Sequence, residues 1–225
     1  MQPPHRRLRQ IQRQIGNFGL LTLAILTMMM VRPFLAENGG ASIIMDLLFA
    51  SIFLSGIYAA RRDRTTFLMA FLLAAINVAG RIHLHISDAR MAPILMNVAI
   101  ILFFLHAIHN IGSYIWSERH RVNHDVIFAA ISAYLLMGIA WAHLYDLLEM
   151  ATPGSFKGLE TALVKDDLFY YSFVTLCTLG YGDIVPLTRP ARAMTIVEAV
   201  IGQLYIAVLI ARLMGSYVEE LRRKE

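Results

Sequence analysis

Six apolar stretches, each close to the length of a bilayer-crossing helix, limit what this chain can fold into. Residues 15–31 carry no charge, 38–60 carry only Asp46, and 65–80 carry none, with Arg81 just beyond. Residues 91–117 and 126–145 hold histidines but no Asp, Glu, Lys or Arg, and 193–211 hold only Glu198. A hydrocarbon core needs about 20 residues of helix to cross. Lipid offers a backbone no hydrogen-bond partner, so each stretch must be helical. Soluble domains carry about 25% charged residues; here the share is 16%, with 57% hydrophobic. The expectation is an all-α membrane protein with six transmembrane helices, the short third one running on to about Leu84 while Arg81 snorkels. The first stretch follows Arg6, Arg7, Arg9 and Arg13, as a signal peptide's core would. It is too long for one, and Arg32-Pro33-Phe34 is no small-residue cleavage site.

Between the last two spans lies a further apolar stretch, Leu168 to Gly182, whose second half is too rich in glycine to span. It reads as a re-entrant helix and loop, tolerated at membrane depth only where protein or water covers the backbone. The stretch runs into Thr178-Leu179-Gly180-Tyr181-Gly182-Asp183, residue types suited to a loop that points main-chain carbonyls at a cation. Glycine tolerates left-handed dihedrals. The threonine hydroxyl adds an oxygen at the inner end, and the Tyr181 ring can pack outward to hold the loop open.

This hexad, with apolar helices on both sides, resembles the selectivity filter of potassium channels, in which four such loops replace the hydration shell of K⁺ with carbonyl oxygens. From about 124 to 217 the order of helix, Gly/Pro-bearing loop, short helix, filter loop and helix resembles the family's pore domain. The resemblance implies a pore helix and filter between helices five and six, and a homotetramer in membrane lipid. It implies passive K⁺ conduction, no cofactor beyond the permeant ion, no enzymatic activity and no nucleic-acid partner. Carried onto this chain, Thr178, Leu179, Gly180, Tyr181 and Gly182 line the ion sites and Asp183 stands at the outer mouth. Phe169, Tyr170 and Tyr171 fall where the family places an aromatic cuff, and an Asp in Lys165-Asp166-Asp167 can cap the short helix. Two domains follow: a four-helix unit over 1–121 and the pore unit over 122–225. The tail after the last helix, 219–225, is expected to be too short for a regulatory domain.

Three positions depart from the family pattern. Leu179 replaces the commoner Val, which leaves the carbonyl ladder intact. Cys177 stands where a second Thr is usual; it changes the hydrogen bonding behind the filter or is simply a small buried thiol. Val174 takes a place where some bacterial members carry Glu, so no carboxylate brace to Asp183 is available from there. In the last helix, Gly202 is either a hinge or a point of close helix packing. Steps of four from it give Ile206, Ile210, Met214 and Val218 on one face, an apolar ring able to close a pore by dewetting. Glu198 either braces the filter from behind or bonds to a neighbouring helix, since an intramembrane carboxylate needs a partner or water. Gln203 is open in the same way, and Arg212, off the stripe, is expected to snorkel to the inner interface.

With the amino terminus in the cytoplasm, 12 of the 20 Lys and Arg residues fall inside. The positive-inside rule therefore puts both termini there and turns Asp183 outward. Small size and a short tail suggest a prokaryotic inner or plasma membrane. Asp46, Asn77 and Asn97 read as polar glue between helices. His83, His85, His106, His109 and His143 satisfy internal hydrogen bonds, sense pH, or ligate haem or a metal. Other readings are a non-selective monovalent cation channel, a histidine-ligated haem or metal membrane protein, and a non-conducting subunit. A voltage sensor needs several basic residues at three-residue spacing, and 91–117 has none. Opening is therefore expected to depend weakly on voltage; a conductance–voltage curve carrying several gating charges per subunit would contradict this.

Overall fold

A computed structural model describes residues 4–36, 68, 71–72, 75–76, 92–117, 124–160 and 164–222. The expected spans over 38–60 and 65–80, with Asp46, Asn77, His83 and His85, lie outside them, apart from five helical residues between 68 and 76. Helix α1 covers Pro4–Ala36, opening on a proline whose missing N–H costs nothing in a first turn. Helices α2 (Ala92–Ser117) and α3 (His124–Ala151) follow. A short α4 covers Val164–Leu176, and a long α5 covers Arg189–Arg222. Among the described residues, Pro93–Trp116, His124–Ala151 and Arg189–Gly215 are long and apolar enough to cross a membrane. The apolar run within α1, Phe18–Phe34, is shorter.

Helix α3 is the hub, packed against α1, α2 and α4. Its buried face is built from small residues, Ala129, Ala130, Ala133 and Gly138 among them, which let neighbouring backbones approach closely. Phe18, Leu21, Ile25 and Met28 recur at three- and four-residue steps along α1 and are at most 5% exposed. Phe103, Phe104 and Ile111 bring α2 into the same core. Opposite faces, with Leu23, Met30 and Phe34 on α1 and Leu95, Leu102 and Leu105 on α2, are exposed, as suits lipid contact. Polar bonds set the register. Thr22 Oγ1 lies 2.8 Å from Ser132 Oγ and donates to the Phe128 carbonyl at 3.1 Å. Asp125 accepts from the Phe18 amide and the Tyr114 hydroxyl, joining three helices at one end.

Helix α4 lies across α3, where Ser172 Oγ donates to the Gly138 carbonyl at 2.8 Å. A two-residue antiparallel pairing, which the apolar pattern does not foreshadow, joins β1 (Phe156–Lys157) to β2 (Val185–Pro186). It ties the loop before α4 to the loop after it. Behind it, the rings of Tyr145, Phe156 and Tyr171 meet edge-on with centroids 5.2–5.3 Å apart, a favoured aromatic geometry.

Gly138 is a tight point of the α3–α4 contact, because a Cβ there would lie 2.7 Å from the Phe173 ring. Gly138→Ala is expected to destabilise the purified protein by about 1–3 kcal/mol through overpacking. A thermal midpoint equal to wild type would contradict this.

Candidate functional site

The carboxyl end of α4 turns into the 178–183 loop through a closed hydrogen-bond pattern. The Leu179 amide donates to the Val174 carbonyl at 2.9 Å, and the Thr178 amide to Thr175 at 2.9 Å. These are the two bonds of a Schellman ending, whose turn residue must be left-handed. Thr178 fills that place with φ 59°. A β-branched residue is rarely found there, at a cost of roughly 1–2 kcal/mol. Its hydroxyl donates to the Cys177 carbonyl at 2.7 Å and accepts from Gln203 Nε2 at 3.3 Å. Gly180 and Gly182 follow with φ 56° and 80°, while Leu179 and Tyr181 between them have negative φ. The handedness alternates along five residues. Leu179 and Tyr181 are 57% and 66% exposed in the single chain.

Asp183 ends the loop. Its Oδ2 accepts from the Tyr170 hydroxyl at 2.7 Å and its Oδ1 from the Ile184 amide at 3.0 Å. The Tyr170 hydrogen bond, more than the amide, holds the carboxyl below the usual carboxylate range. Gly158, at φ 94°, sits beside it, and a Cβ there would fall 2.1 Å from the Asp183 carbonyl oxygen. Only a glycine lets the outer loop run so close.

The remaining candidates surround this loop at different depths. Glu198 is fully buried, its Oε2 accepting from the Tyr145 hydroxyl and its Oε1 lying against Ser172 Oγ, both at 2.5 Å. It therefore joins α5 to α3 and to the helix that carries the loop. Tyr171 turns away from the loop, its hydroxyl 2.7 Å from Thr195 Oγ1 on α5. Cys177 is exposed in the single chain, not buried, with its sulfur 3.7 Å from the Tyr134 hydroxyl. Tyr134 donates to the Leu176 carbonyl at 3.0 Å. Gly202 is packed against the same carbonyl, where a Cβ would lie 2.7 Å from the oxygen. Helix α5 runs through Gly202 without a break. Ile206, Ile210, Met214 and Val218 are all exposed in the single chain. Arg212 donates to the Ile115 carbonyl in the last turn of α2 and lies over the Trp116 ring. Last-turn carbonyls lack partners within their own helix. Phe169 packs on Phe173 at 4.9 Å. Asp166 pairs with Arg32, and Asp167 accepts from the Glu160 amide at 2.6 Å.

Among the histidines, His143 Nδ1 lies 2.8 Å from Asn97 Oδ1, and Asn97 Nδ2 donates to Asp146 at 2.9 Å. No group of three or more His, Cys, Asp or Glu is placed to hold a metal ion among the described residues. Sequence reasoning missed Tyr145, Ser172, Tyr134, Gly138 and Gly158. Only Gly158, a glycine in an outer loop, carries a local signal.

The family described as "Ion channel" matches residues 130–219. The chain is 37% identical over 148 residues to Two pore potassium channel c of Oryza sativa subsp. japonica, covering 64% of this chain but 30% of that protein. It is 30% identical over 109 residues to Protein LctB of Bacillus caldotenax, covering 44% of this chain and 80% of that protein. It is 34% identical over 73 residues to the inward rectifier potassium channel Kirbac3.1 of Paramagnetospirillum magnetotacticum, covering 32% of this chain and 22% of that protein. The match thus spans less than a third of the rice and Paramagnetospirillum proteins. No solved structure gives a significant match.

Because the Asp183 carboxyl is held low, its contacts persist as pH falls through the ordinary carboxylate range and are lost only through the lowered value. Tyr170→Phe removes the main cause, so protonation of Asp183 is expected to move up toward the ordinary carboxylate range. A carboxyl ¹³C titration reads this, and an unchanged midpoint would contradict it.

Proposed function

The chain belongs to the potassium channel family, and from that premise we propose that four copies assemble around one pore that conducts K⁺ passively and selectively. The observation that carries the reading is the alternating handedness of Thr178 to Gly182. Such alternation sets successive peptide groups roughly parallel, with amides along one edge and carbonyls along the other. Four such edges around an axis can stand in for the water of a dehydrated cation. One loop cannot encircle an ion, and each chain supplies one.

The surfaces left uncovered fit the same assembly. Leu179 and Tyr181 are exposed, as are Ile196, Val200, Ile201, Leu204 and Val208 on α5. Copies of the same chain are the partners that would bury them. In this reading residues 122–225 form the pore module, and α4 is the pore helix, its negative carboxyl end turned toward the ions. Asp183 stands at the outer mouth. Both termini face the cytoplasm, and Ile206, Ile210, Met214 and Val218 form the inner apolar constriction. Gly202, held against Leu176, serves close packing, so gating motion passes to α5 below it.

Liposomes carrying the purified chain are expected to release K⁺ down its gradient. Gly180→Ala puts a side chain at φ 56°, and the strain of about 1–2 kcal/mol is expected to cut flux by about tenfold or more. Assembly should persist, because nothing lies within 4 Å of an added Cβ in the single chain. Wild-type liposomes that stay impermeable, or a fully active variant, would contradict the reading.

A further inference from the structure

The match to the ion-channel family begins at residue 130, yet one of the firmest contacts on α4 comes from far outside it. Arg32, near the end of α1, pairs through Nε with Asp166 in the first turn of α4. Its Nη2 donates to the Lys165 carbonyl at 3.1 Å, and its guanidinium lies 4.3 Å from the centroid of the Phe169 ring. One side chain thus holds residues 165, 166 and 169, two turns of a helix of 13 residues. The Arg32 side chain is 12% exposed. A planar fork that bonds and stacks at once is a geometry that lysine does not reproduce. Removing either charge leaves the other partly buried and uncompensated.

The grip acts at the end of a lever. Helix α4 is about 20 Å long, and its far end closes directly into the 178–183 loop through Leu179 and Val174. Phe169 passes the contact on to Phe173, the ring seated against Gly138. A second tie runs beside the first. Asp146 of α3 accepts from Asn97 of α2 and lies 3.8 Å from Lys165 Nζ. Between them is a cavity of about 170 Å³ lined by Arg32, Asn97, His143, Asp146 and Lys165 among others.

We infer that Arg32 is a positioning residue for the conduction loop, setting the tilt of α4 from outside the pore module through Asp166, the Lys165 carbonyl and Phe169. The inference rests on the proposed K⁺ conduction. It gives the peripheral helix α1 a role in ion selectivity.

The test compares the full chain in liposomes as wild type, Arg32→Lys, Arg32→Gln, Asp166→Asn and the double variant Arg32→Gln with Asp166→Asn. Permeability for K⁺ over Na⁺ is read from reversal potentials, at matched amounts of assembled protein. Arg32→Gln and Asp166→Asn are expected to lower the ratio by about three- to tenfold, the effect of a broken residue coupling. Arg32→Lys falls in between, and the double variant loses less than the two single losses multiplied together, because both remove one coupled pair. Wild-type ratios in the assembled single variants, or single losses that multiply in full in the double variant, would overturn the inference. If Arg32→Gln does not assemble, Arg32→Lys and Asp166→Asn decide by the same ratio. A wild-type chain that passes no K⁺ defeats the functional reading instead. Arg32 is then judged by hydrogen exchange at the α4 amides: faster exchange in Arg32→Lys than in wild type supports the grip, and unchanged exchange refutes it.

Discussion

The bond from the Leu179 amide to the Val174 carbonyl is the joint on which the rest of the structure turns. It ends α4 and starts the loop in one step, and it requires Thr178 to sit left-handed. A strained β-branched residue persists only where its surroundings over-determine it. Those surroundings are visible: Gln203 bonds its hydroxyl, and Tyr134 and Gly202 fix the Leu176 carbonyl two residues earlier. The loop is held from behind by α3 through Tyr134 and by α5 through Gly202 and Gln203.

The same logic explains where glycines and buried polar groups fall. Gly138, Gly158 and Gly202 each admit a contact that a methyl group would block, respectively with Phe173, Asp183 and Leu176. Glu198 is tolerated at zero exposure because each oxygen has a hydrogen-bond partner. Tyr145 and Ser172 thereby lock α5, α3 and α4 together, with the rigidity that a satisfied buried polar network confers. The Tyr145–Phe156–Tyr171 rings and the β1–β2 pairing carry that rigidity out to Asp183.

The apolar pattern placed α2, α3 and α5 to within a few residues of their cores, because long uncharged runs leave lipid-facing backbone one solution. It underestimated the ends of α3 and α5: α3 runs from His124 to Ala151, beyond the apolar 126–145, and α5 from Arg189 to Arg222, beyond the apolar 193–211. Charged ends of helices stay helical in water and interface, and hydropathy does not register them. The loop was legible from its own six residues, and Asn97 from its isolation in an apolar span. The braces were not. Arg32 and Asp166 are 134 residues apart, Tyr145 and Glu198 53, and no local spacing encodes pairs so distant. Family resemblance puts both Tyr170 and Tyr171 in an aromatic cuff around the loop, but adjacent helical residues point about 100° apart. One ring reaches Asp183 and the other reaches Thr195.

The most direct test is anomalous diffraction from crystals of the assembled protein grown in Rb⁺, a scatterer that substitutes for K⁺. The expected result is a row of peaks on a four-fold axis, each ringed by carbonyl oxygens of Thr178, Leu179, Gly180 and Tyr181. Peaks confined to side-chain carboxylates, or loops facing away from any common axis, would contradict main-chain coordination.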